Sequence, residues 1–301
     1  MIVRLTHPDK TLWPEAGVTK VDLATYLEAV AGRMLPQVAG RPISLLRHPN
    51  GVGMPGFLQK NLPDSAPASL SRCRVWTPSS QREVAYALAD GIDDLRWMAN
   101  QNTVEFHHWL ARCDRPERAD LLVWDLDPEE GSVAVATAAR WLKEVLDELG
   151  LSSAVKTSGK RGLHVCVPVE RRYGYDELRG FGLAVGRACV ARHRDALTVQ
   201  MRKAERHGRL LIDWSRNGAA QTIVAAWSPR AYPTATVSMP LEWDEVHEQL
   251  DPAVFTIATA PGRPDAWAQL PAGQRIEGPR RQLAAEGFPS DDQSSRARTR
   301  E

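Results

Sequence analysis

Asp125 and Asp127 stand two positions apart at the end of an apolar run that begins Leu121-Leu122-Val123. In a strand, residues i and i+2 project to the same face. Pro128 cannot donate to a ladder and ends the strand there. Two like charges at one strand terminus call for a cation, and a divalent metal bound through oxygen suits them. The competing reading is a solvated pair, one of which caps the next segment. A third carboxylate, Asp213, closes a second apolar run, Leu210-Leu211-Ile212. Three carboxylates from two strand ends can hold one or two Mg²⁺ or Mn²⁺ ions, with substrate phosphates as further ligands.

Between these runs lies Ser158-Gly159-Lys160-Arg161-Gly162-Leu163-His164. The two glycines let backbone amides approach an anion, Ser158 adds a hydroxyl donor, and Lys160 and Arg161 add charge. Arg216 and Arg230, with Arg206 or Arg209, bracket Asp213 in sequence. Acids that hold metal, beside bases that neutralise a leaving pyrophosphate, are what phosphoryl or nucleotidyl transfer needs. Each piece also has a plain structural reading: a capping Asp213, a hairpin connection at 158–162, an inward His164, a surface Arg230. Those readings require every coincidence to be accidental.

The elements that must position these groups are legible in outline. Thr19 predicts an N-cap, followed by a helical stripe from Val21 to about residue 34 that Pro36 closes. Short strands are expected at 43–47, 74–77, 84–87 and 104–109, with a helix over 93–100. After residue 128 the spacing predicts a helix from Val133 to Leu149, strands at 154–157 and 163–168, and a helix over 175–192. Further strands follow at 209–214 and 222–226, then a short helix from Trp243 to Leu250. A composition shift near residue 115 separates an N-terminal half from a catalytic half, about 116–284, within one composite domain. Residues 285–301 lack apolar periodicity and are expected to form a flexible tail.

The 301 residues are 43% hydrophobic and 25% charged, ordinary for a soluble globular protein. A net charge of only +1 means that any nucleic-acid surface is a local patch. No run approaches the ~20 apolar residues of a membrane span. The four cysteines, Cys73, Cys113, Cys166 and Cys189, are widely spaced and predict reduced thiols, neither a disulfide framework nor a zinc site.

The ordered motifs carry a family resemblance. They are Asp9 to Lys20, Gly40-Arg41-Pro42, Arg47-His48-Pro49-Asn50-Gly51, Gly56 to Asn61, Glu105-Phe106-His107-His108-Trp109, Trp124 to Pro128, Ser158 to His164, Ile212 to Asn217 and Ser228-Pro229-Arg230. From about residue 5 to 250 the chain resembles the polymerase domain of bacterial ligase D, the end-joining branch of the archaeo-eukaryotic primase superfamily. The resemblance implies an α/β primase-polymerase fold: an RRM-like catalytic sheet flanked by helices, with an N-terminal α/β wrap. It implies that Asp125, Asp127 and Asp213 bind two divalent cations, Mn or Mg. It implies that Ser158, His164 and Arg230 hold the nucleotide triphosphate, with Arg161 in the turn and Arg216 nearby, and that His107 lies near the sugar. Lys10 and Lys20 match lysines that bind a downstream 5′-phosphate, and the loop carrying Phe57 and Lys60 matches a template-contacting element. The turn departs from the usual Ser-Gly-Gly-Lys-Gly, with Lys160 replacing a glycine and Arg161 the lysine. Leu58 replaces a second aromatic.

The expected function is metal-dependent, template-directed addition of NTPs or dNTPs, ribonucleotides included, to a primer 3′-hydroxyl at DNA ends or short gaps. Partners implied are broken or gapped DNA, Ku and a separate ligase, in a cytoplasmic, nucleoid-associated protein. No ligase or nuclease sequence lies within the 301 residues, so a stand-alone polymerase or an excised domain is expected. The alternatives are a D-x-D phosphohydrolase with Asp125 as nucleophile, and a non-catalytic nucleic-acid-binding module.

Overall fold

Thr19 opens the first long helix through a capping box: its side chain accepts from the Asp22 amide, and the Asp22 carboxylate accepts from the Thr19 amide. This computed structural model describes residues 3–77 and 81–290. A small ribbon, β1 (Thr11–Trp13) and β2 (Val18–Thr19), leads into that helix, α1 (Lys20–Val38). The helix continues through Pro36 and does not end before it. The proline sits in the last turn, where it removes one hydrogen bond, while Met34 and Val38 stay fully buried.

Two six-stranded sheets follow. The first takes β3 (Ile43–Arg47), β4 (Phe57–Gln59), β5 (Arg72–Thr77), β6 (Arg82–Ala87) and, after α2 (Ile92–Asn100), β7 (Thr103–Trp109). The second takes β8 (Leu121–Asp127) and, after α3 (Val135–Glu148), β9 (Ala154–Thr157) and β10 (Leu163–Pro168). Helix α4 (Tyr175–Arg192) leads to β11 (Leu197–Thr198) and β12 (Leu210–Asp213). Strand β13 (Thr222–Val224) crosses back to the first sheet, and β14 (Pro240–Leu241) completes the second. The orders are β13-β7-β3-β6-β5, with β4 also on β3, and β11-β12-β8-β10-β9-β14. Helix α5 (Glu277–Ala285) closes the described fold.

The second sheet is apolar on strands and helices alike. Leu122, Val123, Trp124 and Leu126 of β8 are fully buried, as are Leu142 of α3 and Phe181 of α4. The Trp124 indole donates to the Gly182 carbonyl at 2.8 Å, which pins α4 to β8. The same core cluster runs from Leu12 to Leu283 and so includes residues from both halves of the chain.

Three further expectations are corrected. The helix predicted over 243–250 is a single 3-10 turn, Trp243–Glu245, because the chain bends to bury Val246, whose carbonyl accepts from Arg140. Cys73 and Cys113 are joined in a disulfide, not free, since folding brings their Cα atoms to 5.7 Å across 40 residues; Cys166 and Cys189 are free and buried. The tail expected from residue 285 is packed over its first stretch: Phe288 lies against the core, and the Ser290 carbonyl abuts α4 at Gly180, where a Cβ would not fit. The remainder of that tail, residues 291–301, lies outside the described residues. No helix among the described residues is long and apolar enough to cross a membrane.

Candidate active site

Strand β8 runs through the middle of the second sheet, and its neighbours bring charge to it. Asp213 of β12 pairs directly with Asp125, and His164 of β10 pairs with Asp125 from the other side. Lys156 of β9 pairs with His164 in turn. Directly opposed residues share a face. Asp213, Asp125, His164 and Lys156 therefore form one row across four strands, and Asp127 joins that face two residues on.

The row is tied by hydrogen bonds. Lys156 Nζ lies 2.7 Å from His164 Nδ1 and donates to Ser238 Oγ at 2.7 Å. The far side of the ring, Nε2, is 3.2 Å from Asp125 Oδ1. An ammonium donor on Nδ1 leaves the ring proton on Nε2, directed at the carboxylate. Burial pushes His164 down to about 4, helped by the Lys156 charge, so the ring is neutral at pH 7. Burial also pushes Lys156 down to about 7. Burial acts to raise Asp125, but His164, Arg216 and Lys156 hold it down at about 2.

Two arginines pair with the carboxylates. Arg216 Nε lies 3.2 Å from Asp213 and 3.8 Å from Asp125. Arg206 reaches Asp127 and Glu129, each at 3.4 Å. Asp213 Oδ1 also accepts from the Ser215 amide and hydroxyl at 2.8 and 2.6 Å. The 3-10 turn that carries Arg216, Ser215–Asn217, is anchored by Asn217, whose buried amide exchanges two hydrogen bonds with the backbone of Val123.

The opposite wall comes from β7 and the loop at 228–230. Glu105 and His107, two apart on β7, face the same way. Glu105 accepts from His107 Nε2 at 2.7 Å and from the Ala231 amide at 2.8 Å, and it pairs with Arg230 Nε at 3.4 Å. Arg230 is further held by its own carbonyl, which accepts from the Trp13 indole at 2.9 Å. Just before it, Trp227 adopts a φ of 66°, rare for a bulky residue. The Tyr26 hydroxyl on the Trp227 carbonyl and Arg33 over its ring keep it there.

The turn at 158–162 closes the cavity from above. Gly159 has φ +72°, and a Cβ there would meet Arg230 and the backbone of Val237. Gly162 lies against the Leu126 carbonyl with no room for a Cβ. Lys160, in the place of a glycine, has no positive φ, so its side chain meets no left-handed backbone strain in the turn. Ser158 Oγ accepts from the amides of Lys160 and Gly162 at 3.3 and 3.1 Å, which leaves its own proton to donate.

His107, Asp125, Asp127, Ser158, Arg161, His164, Asp213, Arg216 and Arg230, nine residues singled out by sequence, line one cavity of about 510 Å³. Lys10, Lys20, Phe57 and Lys60 are not in it. Lys20 is buried, its Nζ donating to the carbonyls of Thr6 and Asn100 at 2.8 and 3.1 Å. Burial and then the nearby Lys10 charge lower its pKa. Phe57 is half exposed on β4, with the Arg47 guanidinium 5.3 Å from its ring centre, and Leu58 beside it is equally exposed. Glu105, Lys156 and Asn217 were given no role by the sequence. For Glu105 and Lys156 the signal was a charged residue among apolar strand neighbours, for Asn217 in a polar turn there was none, and the partners became visible only with the strand register.

Among the described residues, no three His, Cys, Asp or Glu side chains are clustered tightly enough to hold a metal ion as they stand. The donor set nonetheless suits a hard divalent cation. Asp125, Asp127 and Asp213 offer oxygen alone on one face, and side-chain cations already accompany all three.

Comparison with known proteins decides the family. The model of the LigD primase-polymerase domain matches residues 19–270. The chain belongs to the LigD primase-polymerase domain family. It is 34% identical over 253 residues to the multifunctional non-homologous end joining protein LigD of Mycolicibacterium smegmatis, covering 81% of this chain and 32% of that protein. To the bifunctional LigD of Bacillus subtilis it is 29% identical over 260 residues, covering 85% and 41%. It thus spans about a third of the length of the first of these relatives. The polymerase domain of Mycobacterium tuberculosis ligase D, solved in complex with DNA, superposes with a TM-score of 0.81 at 32% identity, covering 94% of this chain and 98% of that one. The fold is therefore the archaeo-eukaryotic primase fold expected from the motifs, and primase-polymerase domains of this family are metal-dependent, DNA-directed nucleotidyltransferases.

Proposed function

We propose that this chain adds nucleotides, ribonucleotides included, to a primer 3′-hydroxyl at DNA ends and short gaps, in repair by end joining. The observation that carries this reading is the row Asp213–Asp125–His164, opening on one cavity with Ser158, Arg161 and Arg230. Asp125, Asp127 and Asp213 would hold two divalent cations, Mg²⁺ or Mn²⁺. When bound, these ions activate the attacking hydroxyl and stabilise the leaving pyrophosphate.

The remaining work falls to the chain's own groups. Arg206 and Arg216 neutralise the carboxylates in the free protein and are freed to face phosphate oxygens once those carboxylates are otherwise engaged. Ser158 donates its hydroxyl proton, and Arg161 and Arg230 supply charge at the triphosphate. His164, neutral with its proton on Nε2, donates from the floor of the cavity. His107 faces the sugar. No side chain need act as a nucleophile.

Lys10 and Lys20 would grip a downstream 5′-phosphate: Lys20 keeps one N–H beyond the two given to Thr6 and Asn100, and Lys10 stands close by. Phe57 offers a ring face for template bases, with Lys60 beside it for the backbone. DNA as partner is supported by the DNA-bound ligase D polymerase domain. The end-joining setting is supported by the relatives' names as non-homologous end joining proteins; Ku and a separate ligase as partners, and a nucleoid-associated location, are part of the proposal.

The test is primer extension across a gapped duplex, with and without a 5′-phosphate downstream, using each nucleotide pool with Mg²⁺ and with Mn²⁺. Extension that copies the template and is stimulated by the phosphate is expected. Extension indifferent to template sequence contradicts the reading, and indifference to the phosphate removes the roles of Lys10 and Lys20.

A further inference from the structure

Both oxygens of the Glu105 carboxylate are engaged beside the cavity, and Glu105 does not itself line it. It is 2% exposed. One oxygen, Oε2, accepts from His107 Nε2 at 2.7 Å. The other, Oε1, accepts from the Ala231 amide at 2.8 Å and faces Arg230 Nε at 3.4 Å. Burial acts to raise its pKa, but the His107 hydrogen bond, the Arg230 charge and the Ala231 amide hold it down at about 2. An ionised carboxylate offers acceptors only.

That fixes which nitrogen carries the proton in a neutral His107 ring. An acceptor at Nε2 requires the ring proton there. Nδ1 finds no hydrogen-bond partner among the described residues, and the ring lines the cavity. In the neutral imidazole Nδ1 is then an acceptor. A sugar 2′-hydroxyl can donate to it, whereas a deoxyribose leaves it unpaired, and a polar group left without its partner is how a site rejects an analogue that lacks a hydroxyl.

We infer that Glu105 is a specificity-determining positioning residue: it sets the tautomer and pose of His107 so that the imidazole accepts from the nucleotide 2′-hydroxyl and favours ribonucleotides over deoxyribonucleotides. The inference rests on the proposed nucleotidyl transfer. Its Arg230 arm serves both nucleotide classes alike, so the ratio of the two isolates the His107 arm.

Glu105→Gln keeps the shape and removes one acceptor. A glutamine that turns its oxygen to the Ala231 amide presents an NH₂ to His107 and drives the ring proton to Nδ1. The experiment measures kcat/KM for NTP and dNTP in wild type, Glu105→Gln, His107→Ala and the double variant. The ring nitrogen shifts of His107 are read by NMR in the nucleotide-free wild type and Glu105→Gln. The expected result is a fall of about tenfold in the NTP/dNTP ratio for Glu105→Gln, no further fall when it is added to His107→Ala, and a proton moved from Nε2 to Nδ1. Glu105→Asp keeps the charge beside Arg230 but withdraws from His107; should the glutamine variant not fold, Glu105→Asp must show the same fall. An equal loss for both nucleotides, an unchanged tautomer, or a further tenfold fall in the double variant overturns the inference. A wild-type protein that extends no primer with either nucleotide refutes the proposed function instead.

Discussion

Lys156 carries its ammonium where no water reaches it, and that choice has a thermodynamic signature. Its folded-state pKa of about 7 lies below the ordinary 10.5. Between those values the unfolded chain holds a proton that the folded chain does not, so this residue makes stability rise with pH from about 7 to 10.5, by up to about 1.4 kcal/mol per pH unit. Lys156→Met should flatten that rise, which urea midpoints at pH 7 and pH 9.5 measure; an unchanged slope would mean that the ammonium is not desolvated. At this scale the sequence was informative wherever spacing alone decides a face. Asp125 and Asp127 sit at i and i+2, and both lie on the predicted strand. It was silent on Lys156 and Glu105, because what they touch depends on which residue of a neighbouring strand lies opposite, and register is set by long-range packing.

Helices and strands around the second sheet follow their sequence patterns closely: 154–157 and 163–168 match strand limits residue for residue, and the helix expected from 175 to about 192 is α4. The departures are local contests. Pro36 signalled an end, but Met34 and Val38 on the buried stripe carried the helix through. Trp243 to Leu250 read as a helix, but burying Val246 turned the chain. Asn217 shows how an element is held in place without a ladder. Past Asp213, its amide replaces the backbone partner that β12 would have given Val123. Asn217→Ala leaves a buried N–H and C=O of β8 unpaired and should cost about 2 kcal/mol in urea unfolding. It also frees the turn carrying Arg216, so extension should fall further than stability loss alone explains.

Over the whole molecule, chain order and spatial order diverge. Strand β13 comes late in the chain yet pairs with β7 of the first sheet, and Trp13 and Tyr26 from the start of the chain hold the loop at 227–230. The two walls of the cavity are thereby built from distant stretches, which no local pattern announces. The β5–β6 hairpin illustrates the same point. It joins β3 through one residue pair, Ile43 with Ala87, and packs its own small cluster around Cys73, Val84, Tyr86 and Trp109. The Cys73–Cys113 bond ties that cluster to the segment after β7 across 40 residues. Cys113→Ser, or reduction of the wild type, should lower stability by about 2–4 kcal/mol. Identical urea midpoints with and without reductant would show that the tether does not matter.

The claim on which the rest depends is that Asp213, Asp125 and Asp127 act as one metal-binding carboxylate set for nucleotidyl transfer. The most direct measurement is single-nucleotide primer extension opposite each template base, by the wild type and by Asp125→Asn, with Mn²⁺ and with chelator. Asp125→Asn keeps the size of the side chain and removes its charge. The account predicts template-matched extension by the wild type, abolished by chelation and reduced about a thousandfold or more in Asp125→Asn. Extension that survives chelation, or that Asp125→Asn supports at the wild-type rate, would contradict it.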